Sequence, residues 1–178
     1  MKKLLPIICI LLVFPLAACG IIPGFGHISK DRLMTLDDDE FYDKMMIHII
    51  NTVSGISDTS INEEQKTVYV LVLLEMEVSN GGLVQFFSNS SGECAPYVSE
   101  ALEKAGAVDI KALYEKTIDK YDIDVWDLSP FKTEDMDEFS ALYEKYDFDS
   151  FDNACVMNDG LREHITEYMK DNIDSIIP

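Results

Sequence analysis

The stretch Ser60 to Gly92, SINEEQKTVYVLVLLEMEVSNGGLVQFFSNSSG, limits what this chain can fold into more than any other. Val68, Val70, Leu71, Val72, Leu73, Leu74, Met76 and Val78 lie on nearly every side of a helix, so a helix here must be surrounded by protein. Ser60 followed by Glu63 has capping-box spacing, and Asn80-Gly81-Gly82 supplies a glycine stop. The β-branched run TVYVLVLL also fits a strand, and periodicity does not arbitrate a short apolar run. The caps, the length and the Glu75-Met76-Glu77 continuation favour helix over residues 61–79. The expected fold is therefore all-α, a compact multi-helix domain around a buried central helix.

After the glycines, Leu83, Val84, Phe86 and Phe87 read as an apolar turn folding back on the helix, closed by the polar residues Ser88 to Gly92. The string Glu75-x-Glu77-Val78-x-Asn80-Gly81-Gly82-x-x-Gln85-Phe86-Phe87-x-Asn89-Ser90-Ser91-Gly92 resembles the signature of the bacterial DNA-mimic protein family. The likeness continues from Tyr97 to Gly106 and, more loosely, from Asp39-Glu40-Phe41-Tyr42 to Tyr146. Leu83 stands where the family has an aromatic, a departure that touches packing. The resemblance implies a largely helical domain whose carboxylates imitate DNA phosphates, and it assigns no catalysis to the signature residues.

The chain has 178 residues with 33 acidic and 14 basic side chains, a formal charge of -19, yet 47% of it is hydrophobic. That apolar content argues against disorder and places the charge on a folded surface. Such a surface repels nucleic acid and attracts basic proteins or cations. Cys9 and Cys19 lie at the N-terminus, and Cys94 with Cys155 forms either one disulfide or two buried thiols.

Residues 1–18 have the order of a secretory leader: Met1-Lys2-Lys3, the apolar run Leu4 to Leu16, then small residues. Leu16-Ala17-Ala18-Cys19 resembles a lipobox, in which cleavage precedes a cysteine that is then acylated. Cleavage removes Lys2 and Lys3 and no acid, taking the side-chain balance from -19 to -21. Residues 19–34 then read as the lipidated cysteine and a Gly/Pro-containing tether, and 35–178 as a single domain. The expected location is the bacterial cell envelope, on the outer side of the cytoplasmic membrane, or in the periplasm or at the outer membrane where there are two membranes.

Further helices are expected from a Thr35 cap with the stripe Phe41, Met45, Ile49 and Val53; from Pro96 to Gly106; from Asp109; from Thr133; and at Leu161 to Ile173. Trp126, Pro130 and Phe131 read as an aromatic corner covering the core, and Asp147, Asp149 and Asp152 as a loop.

Little here suggests bond-making chemistry. Asp147-x-Asp149 and Asp122-x-Asp124 begin like calcium loops, but Phe151 and Trp126 occupy ligand positions. His27, His48 and His164 lack metal-site or nucleophile company, and no phosphate loop or nucleophile elbow is present, so no cofactor, metal ligand or catalytic residue is assigned.

Two readings follow. In the first, a non-enzymatic, membrane-tethered module docks a basic protein through Asp37, Asp38, Asp39, Asp119, Asp122, Asp124, Asp127, Glu134, Asp135, Asp137 and Glu138. It touches the membrane only through Cys19, and self-association into a homodimer stays open. In the second, a small-ligand binder or enzyme has its site at the signature turn, Glu77, Asn80, Gly81, Gly82, Gln85, Phe86, Asn89 and Gly92. In that case Asn80, Gln85 and Asn89 must line a pocket; otherwise these residues cap and close the turn.

Overall fold

The structure is a computed structural model that describes residues 29–133, 135–157 and 160–177. Among these residues the regular elements are helices, and there is no strand. Residues 30–33, within the stretch read as tether, form α1 (Lys30–Leu33), whose Leu33 is buried. The others are α2 (Asp38–Thr52), α3 (Glu63–Ser88), α4 (Val98–Lys104), α5 (Val108–Tyr121), α6 (Met136–Lys145), α7 (Asp149–Val156), α8 (Gly160–Asp171) and α9 (Ile173–Ile176). Two 3-10 segments, Ser90–Tyr97 and Ser129–Phe131, join them.

Helix α3 is the axis of the fold. Val68, Val70, Leu71, Val72, Leu74 and Val78 are buried, because α2, α4, α7, α8, α9 and the first 3-10 segment all pack on it. Each such side chain contributes roughly 1.5–3 kcal/mol by leaving water. By length and composition α3 could also cross a bilayer, but most of its apolar window is buried under its neighbours. Leu73 is partly buried and Met76 faces solvent.

The start of α3 differs from the capping box expected at Ser60 and Glu63. Ser60 turns its backbone N–H and its hydroxyl to Asp58, at 2.9 and 2.6 Å. Asn62 caps instead: its side chain accepts from the Gln65 N–H at 2.8 Å, and the Gln65 side chain accepts from the Asn62 N–H at 3.1 Å. The same two amides donate to the Ser175 and Ile176 carbonyls, tying the C-terminus to this cap.

The double glycine does not stop the helix. It breaks the helix sharply, and a second helical segment carries Leu83, Val84, Phe86 and Phe87 onward to Ser88, where a turn was expected. Gly82 has φ 73° and ψ -178°, a region open essentially to glycine alone. Behind the break, Phe87, Phe131, Tyr146 and Phe148 form an aromatic cluster, with Phe87–Phe131 centroids at 4.9 Å and Phe131–Tyr146 at 4.7 Å.

Several helix starts fall elsewhere than expected. Asp37 rather than Thr35 caps α2, since Thr35 donates its hydroxyl to the Arg32 carbonyl. Asp135 rather than Thr133 caps α6, donors being the Asp137 and Glu138 N–H groups. Asp149 and Asp152, read as loop, lie in α7. The expected aromatic corner divides: Phe131 is buried, whereas Trp126 is 73% exposed.

Gly82→Ala should lower folding stability by about 2 kcal/mol or more, because the backbone conformation is unfavourable to any side chain and the new Cβ would sit 2.4 Å from Asp152 Oδ2. Gly106→Ala, at φ 73° with nothing within 4 Å of the new Cβ, should cost about 1 kcal/mol. Denaturant unfolding of the two variants checks the order, and equal losses would contradict it.

Candidate functional site

The signature residues gather around the Glu77 carboxylate. Glu77 sits near the end of the first half of α3. Its Oε2 accepts from Gln85 Nε2 at 2.7 Å and from Asn89 Nδ2 at 2.8 Å, and its Oε1 accepts from Ser91 Oγ at 2.8 Å. The chain reaches this arrangement only because the glycine break lets the second half of α3 double back toward the first. At Gly81 a Cβ would meet the Gln85 side-chain oxygen, which would have to shift. Gly92 is packed in the same way against Leu128 and the Phe87 carbonyl. Asn80 is exposed and Phe86 is in the core.

Neighbouring elements close the same turn. Asp152 reaches from α7 to accept the Leu83 N–H at 2.9 Å, capping the second half of α3 from another helix. Tyr143 of α6 donates its hydroxyl to the Gly81 carbonyl at 2.7 Å. The Lys132 ammonium donates to the Phe87, Ser88 and Asn89 carbonyls at 3.1, 3.0 and 3.0 Å, satisfying the helix end.

The side-chain amides of Gln85 and Asn89 therefore each donate within the fold, to Glu77, while Asn80 is exposed. Gln85 and Asn89, expected either to line a pocket or to cap and close the turn, share one side-chain acceptor. A small crevice of about 20 Å³, room for one water, lies elsewhere and is lined by Lys66, Thr67, Tyr97 and Lys104.

Beneath the turn, Glu75 is nearly buried and held by three elements. Tyr42 of α2 donates its hydroxyl to Oε2 at 3.0 Å, Arg162 of α8 lies 3.5 Å from Oε1, and Ser79 donates at 3.4 Å. The Arg162 guanidinium also covers the Tyr42 ring at 4.3 Å. Burial, with the Glu75 charge adding to it, pushes the Tyr42 phenol far up. A buried carboxylate persists only with such company.

Cys94 and Cys155 are separate, buried free thiols, so the disulfide alternative falls away. Burial pushes the Cys94 thiol up to about 12 and raises that of Cys155 as well, which leaves neither as a nucleophile at neutral pH. Among the described residues, no three His, Cys, Asp or Glu side chains meet as metal ligands would.

The candidate carboxylates divide into two groups. Asp37 is a helix cap, Asp38 pairs with Lys170 at 2.5 Å, and Asp39 lies 3.8 Å from Arg162. Asp119, Asp122, Asp124, Asp127, Asp135, Asp137 and Glu138 are all exposed. Asp124 and Asp127 accept the Trp126 and Ser129 N–H groups, and Asp122 caps α5 in the left-handed region. Cys19 and Glu134 lie outside the described residues.

Asp152 was visible in the sequence only as an acid, since its partner Leu83 is 69 residues away in the chain. Burial, reinforced by the Asp149 charge and opposed by the Leu83 N–H, lifts its carboxyl to about 6. A folded-state value above the unfolded one means that the folded state holds the proton more tightly. Stability from this group is therefore greatest at low pH and is lost as pH rises from about 4 to about 6. Asp152→Asn keeps an acceptor for Leu83 and removes the charge. It should stabilise the protein at pH 7.5 by roughly 1–2 kcal/mol, allowing for solvent screening of a part-exposed group. The gain should shrink through about pH 6 and vanish near about pH 4; thermal unfolding across that range checks it, and a gain independent of pH would contradict it.

No curated protein and no solved structure matches the chain. A family model does: the one described as DMP19-like protein matches residues 59–172, from the approach to α3 through the whole of α8. The match takes in the signature turn and extends beyond Tyr146, while the Asp39-Glu40-Phe41-Tyr42 segment of α2 lies before it. With well over half of its residues inside that match, the chain belongs to the DMP19-like family, the DNA-mimic family that the signature resembles.

Proposed function

We propose that this protein is a non-enzymatic docking module, held at the outer face of a bacterial membrane by acylated Cys19, that captures a basic protein through its carboxylates. Family membership supports the DNA-mimic chemistry, in which closely spaced negative charge replaces phosphate in a groove built of Lys and Arg. The observation that carries the reading is the stretch from Asp119 to Glu138. Its acids Asp119, Asp122, Asp124, Asp127, Asp135, Asp137 and Glu138 are exposed, while its two lysines are engaged elsewhere. Lys132 is turned onto backbone carbonyls, and Lys120 lies over the Tyr121 ring and 3.6 Å from Asp147.

The acids of α2 contribute less, because Asp38 and Asp39 already face Lys170 and Arg162. The reading of residues 1–19 as leader and lipobox supports a partner outside the cytoplasm. The groove then belongs to a basic exported protein, such as a nuclease or toxin, rather than to a transcription factor.

Crosslinking in native envelopes should capture a basic protein at low salt and lose that capture when carried out at high salt, as exposed charge pairs are screened. Neutralising Asp119, Asp122, Asp137 and Glu138 together, as Asn or Gln, should weaken capture about tenfold or more. Retention unchanged by salt and by these substitutions would sink the reading. Separately, Cys19→Ala should abolish fatty-acid labelling and release the protein from the membrane fraction; continued labelling would rule the lipobox out.

A further inference from the structure

We infer that Trp126 anchors this docking surface and that it receives an arginine side chain of the partner, stacked on the indole and paired with the carboxylates beside it. The inference rests on the docking function proposed above and names its central contact.

Trp126 is the only tryptophan in the chain and is 73% exposed, more than any other large apolar side chain described. An indole left in water is not used by the core, whose own aromatic cluster closes without it. Its loop is nonetheless held still. The Trp126 N–H donates to Asp124 Oδ1 at 2.9 Å, the Asp127 N–H to the Asp124 carbonyl at 3.0 Å, and the Ser129 N–H to Asp127 Oδ1 at 3.1 Å. Leu128 and Phe131 are buried just beyond. Tyr97 meets the indole edge to face, with centroids 5.9 Å apart at 72°. A rigid aromatic of this kind loses little entropy on contact, and Trp is the residue type most often found at the energetic centre of an interface.

The surroundings select the occupant. Asp122, Asp124 and Asp127 flank Trp126 in the same loop, all exposed, and no ion pair reaches them among the described residues. A purely apolar partner segment would have to bring carboxylates out of water. A second copy of this chain would bring its own acids against them. A cation answers both the π-face and the charge, and the adjacent ring already behaves this way, since the Lys66 ammonium lies 4.1 Å over Tyr97. Arginine fits better than lysine: its guanidinium is planar, weakly hydrated, stacks on indole and offers a fork of donors to a carboxylate.

Because Trp126 is the sole indole, its fluorescence reports on this position alone. The full chain in non-ionic detergent is titrated with nona-arginine and with nona-lysine at low salt. Nona-arginine should shield the indole from acrylamide, lowering the quenching constant about twofold or more, while nona-lysine should leave it nearly unchanged. Read by titration calorimetry, which needs no indole, Trp126→Ala should weaken nona-arginine about tenfold and nona-lysine less than about threefold. The side chain is exposed, so the variant should fold, and an unchanged unfolding midpoint checks this. The Asp124→Asn, Asp127→Asn double variant keeps the loop acceptors, removes two charges and should weaken both peptides.

Binding of both peptides with no change in acrylamide access and no effect of Trp126→Ala would overturn the anchor while leaving acidic docking intact. Equal dependence of the two peptides on Trp126 would overturn the arginine assignment. Failure of both peptides to bind at low salt would overturn the inference together with the docking function.

Discussion

The fold depends on enclosing a helix that is apolar almost all the way round and then breaking it inside the protein. Enclosure supplies the hydrophobic driving force, since side chains on every face of α3 leave water against several other elements. The break frees backbone groups that water does not reach easily, and each must find a partner. Asp152 takes the Leu83 N–H, Tyr143 binds the Gly81 carbonyl, and Lys132 gathers the carbonyls at the far end. Helices α6 and α7 and the loop before α6 are thus fixed to the core by polar contacts to one interrupted segment.

This changes what the polar signature residues mean. Asn, Gln and Ser side chains near paired glycines have the composition of a ligand loop. Here they serve one acceptor, the Glu77 carboxylate, which fastens the second half of α3 and the following 3-10 segment to the first half. A charged hub accepting three donors is stronger than neutral pairs would be, and it holds a reversal that glycine alone leaves loose. The bonds of these signature side chains therefore hold the reversal of α3 together.

The charge distribution is also uneven in its consequences. Where acids begin α2, cations of α8 stand opposite them, so that surface is locally balanced and helps hold two helices together. Beyond α5 the acids sit on short turns and a helix cap, using backbone N–H groups as partners and leaving their charge outward. Backbone donors stabilise a carboxylate without neutralising it. A chain with a formal charge of -19 can in this way keep a compact core while exposing Asp122, Asp124 and Asp127.

The fold class, the central helix and its enclosure were legible in the sequence, because caps and length favour helix over strand and a helix apolar on nearly every side must be surrounded by protein. The sequence also placed the buried stripe Phe41, Met45, Ile49 and Val53 and the Gly106 stop, features written within a few residues of one another. Tertiary structure decided the choices between near-equal local options. Ser60 and Asn62 both suit a cap, and Asp58 claiming Ser60 while Asn62 reaches Ser175 settled it. Gly81-Gly82 suits a stop or a break, and a carboxylate from Asp152, far along the chain, made it a break. Trp126 and Phe131 look alike as apolar residues in a loop, yet only one fits the space between Phe87 and Tyr146. Local patterns fix what a segment can be; partners distant in sequence select among those states, because the energy differences between them are smaller than one well-placed hydrogen bond or one buried ring.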